Sequence, residues 1–150
     1  MFIEEIDFFN GMTIEVIDEI FKISVVEAYS EGDILFKQGD PAYYFLLLEE
    51  GEIRLTIGEE GHIGFTMSPG DAFGWSSLAD RDVYTATAEC KLPCKLIKIE
   101  TDKLDKIFQK YPASGLIFFK RLAKLIGERL IRTYNTLLSA YKSEGQPSYG

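Results

Sequence analysis

The sequence predicts a mainly β domain: an antiparallel eight-stranded β-roll of the jelly-roll type, with two short helices before it and one long helix after it. Three observations carry this. Between Val25 and Glu100, short apolar runs are punctuated by glycine-bearing turns, at the intervals of about 8–12 residues common in all-β folds. Before Lys22 and after Asp102, apolar residues recur instead at steps of three and four, which is helical spacing. The 150 residues, 46% of them apolar, fit one domain with a single buried core.

From residue 3 to residue 21 the apolar set Ile6, Phe8, Phe9, Met12, Val16, Ile17, Ile20 and Phe21 is interrupted at Asn10-Gly11, so two short helices are expected. Thr13 is placed to cap the second, with Glu15 near its positive end. The strand-like runs are 25–29, 33–37, 43–49, 52–57, 62–67, 85–90 and 95–100. Glu31-Gly32-Asp33, Gly39-Asp40-Pro41, Gly51, the stretch 58–61 and Pro69-Gly70-Asp71 supply the turns between them. His62, the single histidine, reads as an exposed hairpin residue. Leu104, Ile107 and Phe108 return to helical spacing over 102–108, and Tyr111-Pro112 breaks it before a long helix over 113–142. The domain is read as 1–142, with 143–150 a flexible tail too poor in apolar surface to order itself.

The long helix carries two apolar sets. Leu116, Phe119, Ala123, Ile126, Leu130, Thr133, Leu137 and Ala140 form an a/d seam along its length, whereas Ile117, Phe118, Leu122 and Leu125 occupy only its first half. The start is therefore expected to pack on the roll and the rest to pair with a second copy, giving a homodimer through 116–140. A roll of this size does not cover about 45 Å of helix.

The formal net charge of −8 opposes nucleic acid and anionic lipid. Lys120, Arg121, Lys124, Arg129 and Arg132 are the one basic concentration, read as a solvated helix face. The chain has no run of eighteen apolar residues, and Met-Phe-Ile-Glu-Glu-Ile-Asp at its start is acidic, so neither a membrane span nor a secretory leader is expected and the protein is read as cytoplasmic. Cys90 and Cys94 flank a turn; a disulfide between them is conceivable, but two reduced, partly buried thiols suit a cytoplasmic domain better. One histidine cannot furnish a usual zinc or cupin-type metal site. No motif places a nucleophile beside a base and there is no phosphate loop, so the chain is not read as an enzyme.

Three stretches occur in a telling order: Glu31-Gly32-Asp33-Ile34-Leu35-Phe36-Lys37-Gln38-Gly39-Asp40-Pro41, then Leu48-Glu49-Glu50-Gly51-Glu52-Ile53-Arg54-Leu55, then Pro69-Gly70-Asp71-Ala72-Phe73-Gly74. With the flanking helices they resemble cyclic-nucleotide-binding domains, such as the effector domain of the catabolite activator protein and the regulatory subunits of cyclic-AMP-dependent kinase, over roughly 8–142. The segment from Gly70 to Ala88 is similar to that family's phosphate-binding cassette. The resemblance implies a Glu after Gly74 to bind the ribose hydroxyl and an Arg before Thr85 to meet the cyclic phosphate. Trp75 and Tyr84 stand there instead. The base-contacting hydroxyl implied on the long helix is Thr133. The candidate ligand set is thus Gly74, Trp75, Ser76, Arg81, Tyr84, Thr85 and Thr133.

A hydrogen bond to a charged group contributes about 1.5–3 kcal/mol, so loss of the Arg alone weakens cyclic-nucleotide binding roughly 10- to 100-fold. Arg81 has two readings: a surrogate phosphate anchor, or a loop arginine that is solvated or paired to Asp80 and Asp82. Trp75 and Tyr84 likewise either fill the space of an absent ligand or build a flatter site for another small molecule. Haem is not expected, because the cassette holds no axial His or Cys. The resemblance implies a stand-alone regulatory sensor that binds a small effector, weakly cyclic AMP or cyclic GMP or else another compound, and signals through the long helix to a protein partner. The alternative is a ligand-free assembly module on the same scaffold. DNA binding is not expected, since the recognition domain of the family's transcription factors would follow the long helix and this chain stops about eight residues after Lys142.

Overall fold

A computed structural model of the protein describes residues 7–61 and 63–145. After a 3-10 turn at Asp7–Phe9 come α1 (Ile14–Ile23) and the strands β1 (Ser24–Tyr29), β2 (Ile34–Phe36), β3 (Tyr44–Glu50), β4 (Ile53–Ile57), β5 (Ile63–Met67) and β6 (Ala72–Phe73). A second 3-10 turn at Ser76–Ala79 leads to β7 (Thr87–Cys90) and β8 (Cys94–Glu100), followed by α2 (Thr101–Lys110) and α3 (Pro112–Gly145). The strands pair antiparallel in two sheets, ordered β1-β8-β3-β6 and β2-β7-β4-β5.

The expected roll of eight strands is present, and so is the long terminal helix. Four details differ from the sequence reading. The first N-terminal helix is only the 3-10 turn among the described residues. Thr13 stands at the N-cap of α1, but its hydroxyl makes no capping bond and only its carbonyl accepts, from Ile17 N at 3.1 Å. Strand β7 begins at Thr87, leaving Thr85 and Ala86 in the preceding bend. Helix α3 runs on through Gly145 instead of ending at Lys142, so the first residues read as tail continue the helix. The expectations for His62, Ile6 and 146–150 fall outside the described residues.

Strand β3 explains how one sheet serves two cores. Its run Tyr-Phe-Leu-Leu-Leu does not alternate with polar residues because the strand is central and covered on both faces. Phe45 and Leu47 join Ile97 and Ile99 of β8 beneath the helices, while Leu46 and Leu48 face Leu55, Phe73 and Leu96 between the sheets. On the helical side Phe118 of α3 is fully buried and lies among the rings of Phe8, Phe9, Phe45, Phe108 and Phe119 at centroid distances of 5.0–5.9 Å.

The three glycine–aspartate turns share one local device. The carboxylates of Asp33, Asp40 and Asp71 accept the backbone N–H three residues earlier, from Ser30, Lys37 and Ser68, at 2.8, 2.9 and 2.8 Å. Each bond closes its turn without help from distant parts of the chain.

Cys90 and Cys94 are free and fully buried. Cys94 Sγ donates to Leu92 O at 3.0 Å and to Glu52 O at 3.3 Å. Burial, and then the hydrogen bond with Cys94, pushes the Cys90 thiol up to about 12, which keeps it neutral and a poor nucleophile.

Helix α3 has 34 residues, about 51 Å. Phe118 and Leu122 are buried at its start, whereas Leu130, Ile131, Tyr134, Leu137, Leu138 and Tyr141 are exposed, Leu137 to 62%. The second apolar set packs at the start as expected, but of these exposed residues only Leu130 and Leu137 belong to the seam read from the sequence: Ile126 packs on the helical core and Thr133 is half-buried, so the exposed row runs through Tyr134 and Tyr141 instead. Among the described residues no helix is long and apolar enough to cross a membrane, and no three His, Cys, Asp or Glu side chains gather to hold a metal ion.

Candidate functional site

The cassette lies between β6 and β7. Gly74 leaves β6, Trp75 precedes the 3-10 turn, and Tyr84 returns the chain toward β7. The backbone at Tyr84 is tied to the second glycine–aspartate turn: its N–H donates to Asp40 O at 2.9 Å, and its carbonyl accepts Gly39 N at 2.9 Å. Those bonds turn the side chain inward, and Tyr84 is only 5% exposed.

The Tyr84 ring stacks on Phe36 with centroids 3.8 Å apart and planes 18° apart. Its hydroxyl donates to Tyr44 O at 3.1 Å and accepts Tyr44 N at 3.3 Å, so one face and the tip of the phenol are held. Burial raises its ionisation above the ordinary tyrosine value. The group is therefore neutral at physiological pH. Where the family places a guanidinium, this chain offers no positive charge.

Five of the seven sequence-derived candidates come together. Gly74, Trp75, Ser76, Tyr84 and Thr85 line one cavity with Phe36 and Leu55, but it encloses only about 30 Å³. That is room for one or two waters, against about 300 Å³ or more for small-molecule sites. Trp75 borders this space while also packing with Leu78 on the helical core. Gly74 is required by packing: with φ +73°, an added Cβ would lie 2.5 Å from Leu46 Cδ1 and 3.1 Å from Tyr44 O. The frame of the cassette thus persists for structural reasons even where its pocket is full.

The other two candidates lie elsewhere. Arg81 is exposed and borders a separate groove with Asp80, Asp82, Ser77, Thr101 and Asp102. That position fits the reading as a loop arginine among carboxylates, and not the surrogate phosphate anchor. Thr133 is half-buried on α3 and donates to Arg129 O at 2.9 Å, a bond within its own helix.

Arg129 was expected on a solvated basic face and is instead docked on the roll. Its Nη2 donates to Ala72 O and reaches Met67 Sδ at 3.1 Å. Burial lowers its ionisation, Arg132 adds to that, and Asp71 opposes it. Arg121 is half-buried too, with an Nη1 that has no hydrogen-bond partner among the described residues, while Lys120, Lys124 and Arg132 are exposed as expected. The steps Leu122, Ile126, Arg129, Thr133 put Arg129 on the inner face, and that spacing is the signal that could have found it. Arg129→Ala should therefore loosen the far half of α3 and lower stability by about 1.5–3 kcal/mol. Hydrogen exchange of α3 amides beyond Gly127 is the readout; unchanged protection would remove Arg129 as the clamp.

Two further residues were not singled out from the sequence. Phe36 is the stacking partner of Tyr84, and Tyr44 supplies its backbone anchor. Both lie about forty or more positions away in the chain, and their contact depends on how the two sheets face each other.

The comparisons agree with this architecture. A cyclic nucleotide-binding domain from Methylobacillus flagellatus superposes with a TM-score of 0.79 at 21% identity, covering 93% of this chain and 83% of that one. The catabolite activator protein of Thermus thermophilus gives 0.71 at 23% identity, over 88% and 62%. In sequence, cGMP-dependent protein kinase 2 of Mus musculus is 26% identical over 128 residues, 75% of this chain but only 17% of the kinase. The cyclic nucleotide-binding domain model matches residues 26–111. This regulatory family makes cyclic AMP and cyclic GMP the first ligands to test. With that match spanning more than half of its residues, the chain belongs to the cyclic nucleotide-binding domain family.

Proposed function

We propose that this chain is a regulatory domain that acts by association along α3, with its cassette shut to cyclic nucleotides by Tyr84. One observation carries the reading: the phenol stacked on Phe36 leaves about 30 Å³ at the cassette, where a cyclic nucleotide needs roughly ten times that. The two replaced anchors act in the same direction. Without the guanidinium and the carboxylate, two charge-assisted hydrogen bonds are lost, about 1.5–3 kcal/mol each.

Association along α3 is supported by the row Leu130, Tyr134, Leu137 and Tyr141, which is apolar, exposed and at steps of four and three. A second copy of the same helix satisfies such a seam with a two-fold axis. No metal or catalytic role is included, since the family is regulatory.

Calorimetry with cyclic AMP and cyclic GMP tests the closure; no saturation below about 100 µM is expected, and micromolar binding would overturn it. Light scattering tests the seam. The wild type should run as a dimer and the Leu130→Glu/Leu137→Glu variant as a monomer; equal masses for the two would remove α3 as the interface.

A further inference from the structure

Bordered by the same Phe36 and Tyr84 rings, the two sheets leave a second opening. Its volume is about 310 Å³, the lower end of the range for small-molecule sites. Tyr29, Phe36, Tyr43, Tyr44, Tyr84 and Lys98 line it. Four of these six are tyrosines. Phe36 and Tyr84 are shared with the cassette, since both also border its small cavity.

Lys98 is the informative residue. It pairs with Leu46 across β3 and β8, and Leu46 belongs to the core between the sheets, so the alternation of the strand points Lys98 inward as well. A lysine on the inner face of a central strand needs a reason. Its side chain is 22% exposed. Nζ stands 4.1 Å from the centroid of the Tyr44 ring and 3.7 Å from Glu27 Oε2. The same Glu27 oxygen already accepts the Tyr29 hydroxyl. Beyond this ion pair with Glu27 and the Tyr44 ring, Nζ makes no hydrogen bond among the described residues, and it has three donors to place.

We infer that this tyrosine cleft is a binding site for a flat aromatic monocarboxylate. The rings accept a planar body by stacking or edge contact. The Lys98 ammonium takes the carboxylate, half-buried at the inner wall, where a charge-assisted bond counts for more than at the surface. Glu27 beside the ammonium and Asp40 at the rim disfavour a second negative charge, which sets this ligand apart from nucleotides and other polyanions. The Tyr84 ring is common to the cleft and the cassette, so an occupant here would rest against the group that shuts the cassette.

The site is independent of the cassette reading, because its probes are not nucleotides. Titration of the full chain with 2-naphthoate, followed by calorimetry or ligand-observed NMR, should give saturable binding in the submillimolar range. The neutral analogue 2-naphthalenemethanol and the dianion 2,6-naphthalenedicarboxylate should each bind at least about tenfold more weakly. Lys98→Gln should cost naphthoate at least about tenfold and leave the alcohol unchanged. Tyr43 is 61% exposed, so Tyr43→Ala keeps the fold and should still weaken naphthoate about three- to tenfold; this arm stands even if Lys98→Gln does not fold. No saturation at about 5 mM naphthoate, equal affinity for the alcohol, or no response to Tyr43→Ala would overturn the assignment.

Discussion

Phe118→Ala is expected to lower the unfolding free energy by about 3–5 kcal/mol. Phe118 is fully buried and touches rings from the N-terminal turn, from β3, from α2 and from its own helix. Truncation leaves a cavity that four different elements would all have to move to fill, so relaxation is incomplete and the cost falls at the high end. A domain of this size is stable by about 5–15 kcal/mol, and the loss corresponds to a fall in melting temperature of about 6–20 °C. Denaturant titration measures it. A change below about 1 kcal/mol would mean that α3 is not anchored through this ring.

Gly51→Ala should be nearly as damaging, at about 2–5 kcal/mol, although it adds a single methyl group on a surface turn. Gly51 has φ +99°, which an L side chain tolerates poorly. A Cβ there would also stand 2.4 Å from Pro93 O, 2.7 Å from Cys94 Sγ and 3.0 Å from Cys94 Cα. The turn after β3 is thus seated on the turn before β8, and two of the three obstructing atoms are backbone. Thermal melting and thiol accessibility report it together: the variant should melt lower and expose Cys94 to reagent. A variant that melts like the wild type would show that the two turns separate freely.

Local chemistry was legible in the sequence and long-range packing was not. The turns at Gly32-Asp33, Gly39-Asp40 and Gly70-Asp71 announced the roll because each carboxylate closes its own turn over three residues. The apolar set at the start of α3 was legible for the same reason, since spacing along one helix fixes which residues share a face. Tyr84 was different. Its identity revealed the missing guanidinium, but whether the ring lined an open site or filled it depended on Phe36 and on the Tyr44 backbone, both supplied from other strands. Arg129 failed in a related way, because a basic residue at helical spacing reads alike whether its face meets water or Ala72 O. Lys98 was masked by the apolar run around it, and only the register of β8 against β3 shows that it points inward.

The replacement at position 84 is the physical cause given for the closed cassette, and Tyr84→Arg tests it most directly. Removing the phenol from its stack on Phe36 opens the small cavity, and the guanidinium returns the charge that the phosphate needs. The measurement is calorimetric titration of cyclic AMP into the wild type and into Tyr84→Arg, with a thermal melt to show that both are folded. The expected result is an affinity about 10- to 100-fold tighter for the variant. Equal affinity in two folded proteins, or micromolar binding already in the wild type, would contradict the claim that Tyr84 shuts the site.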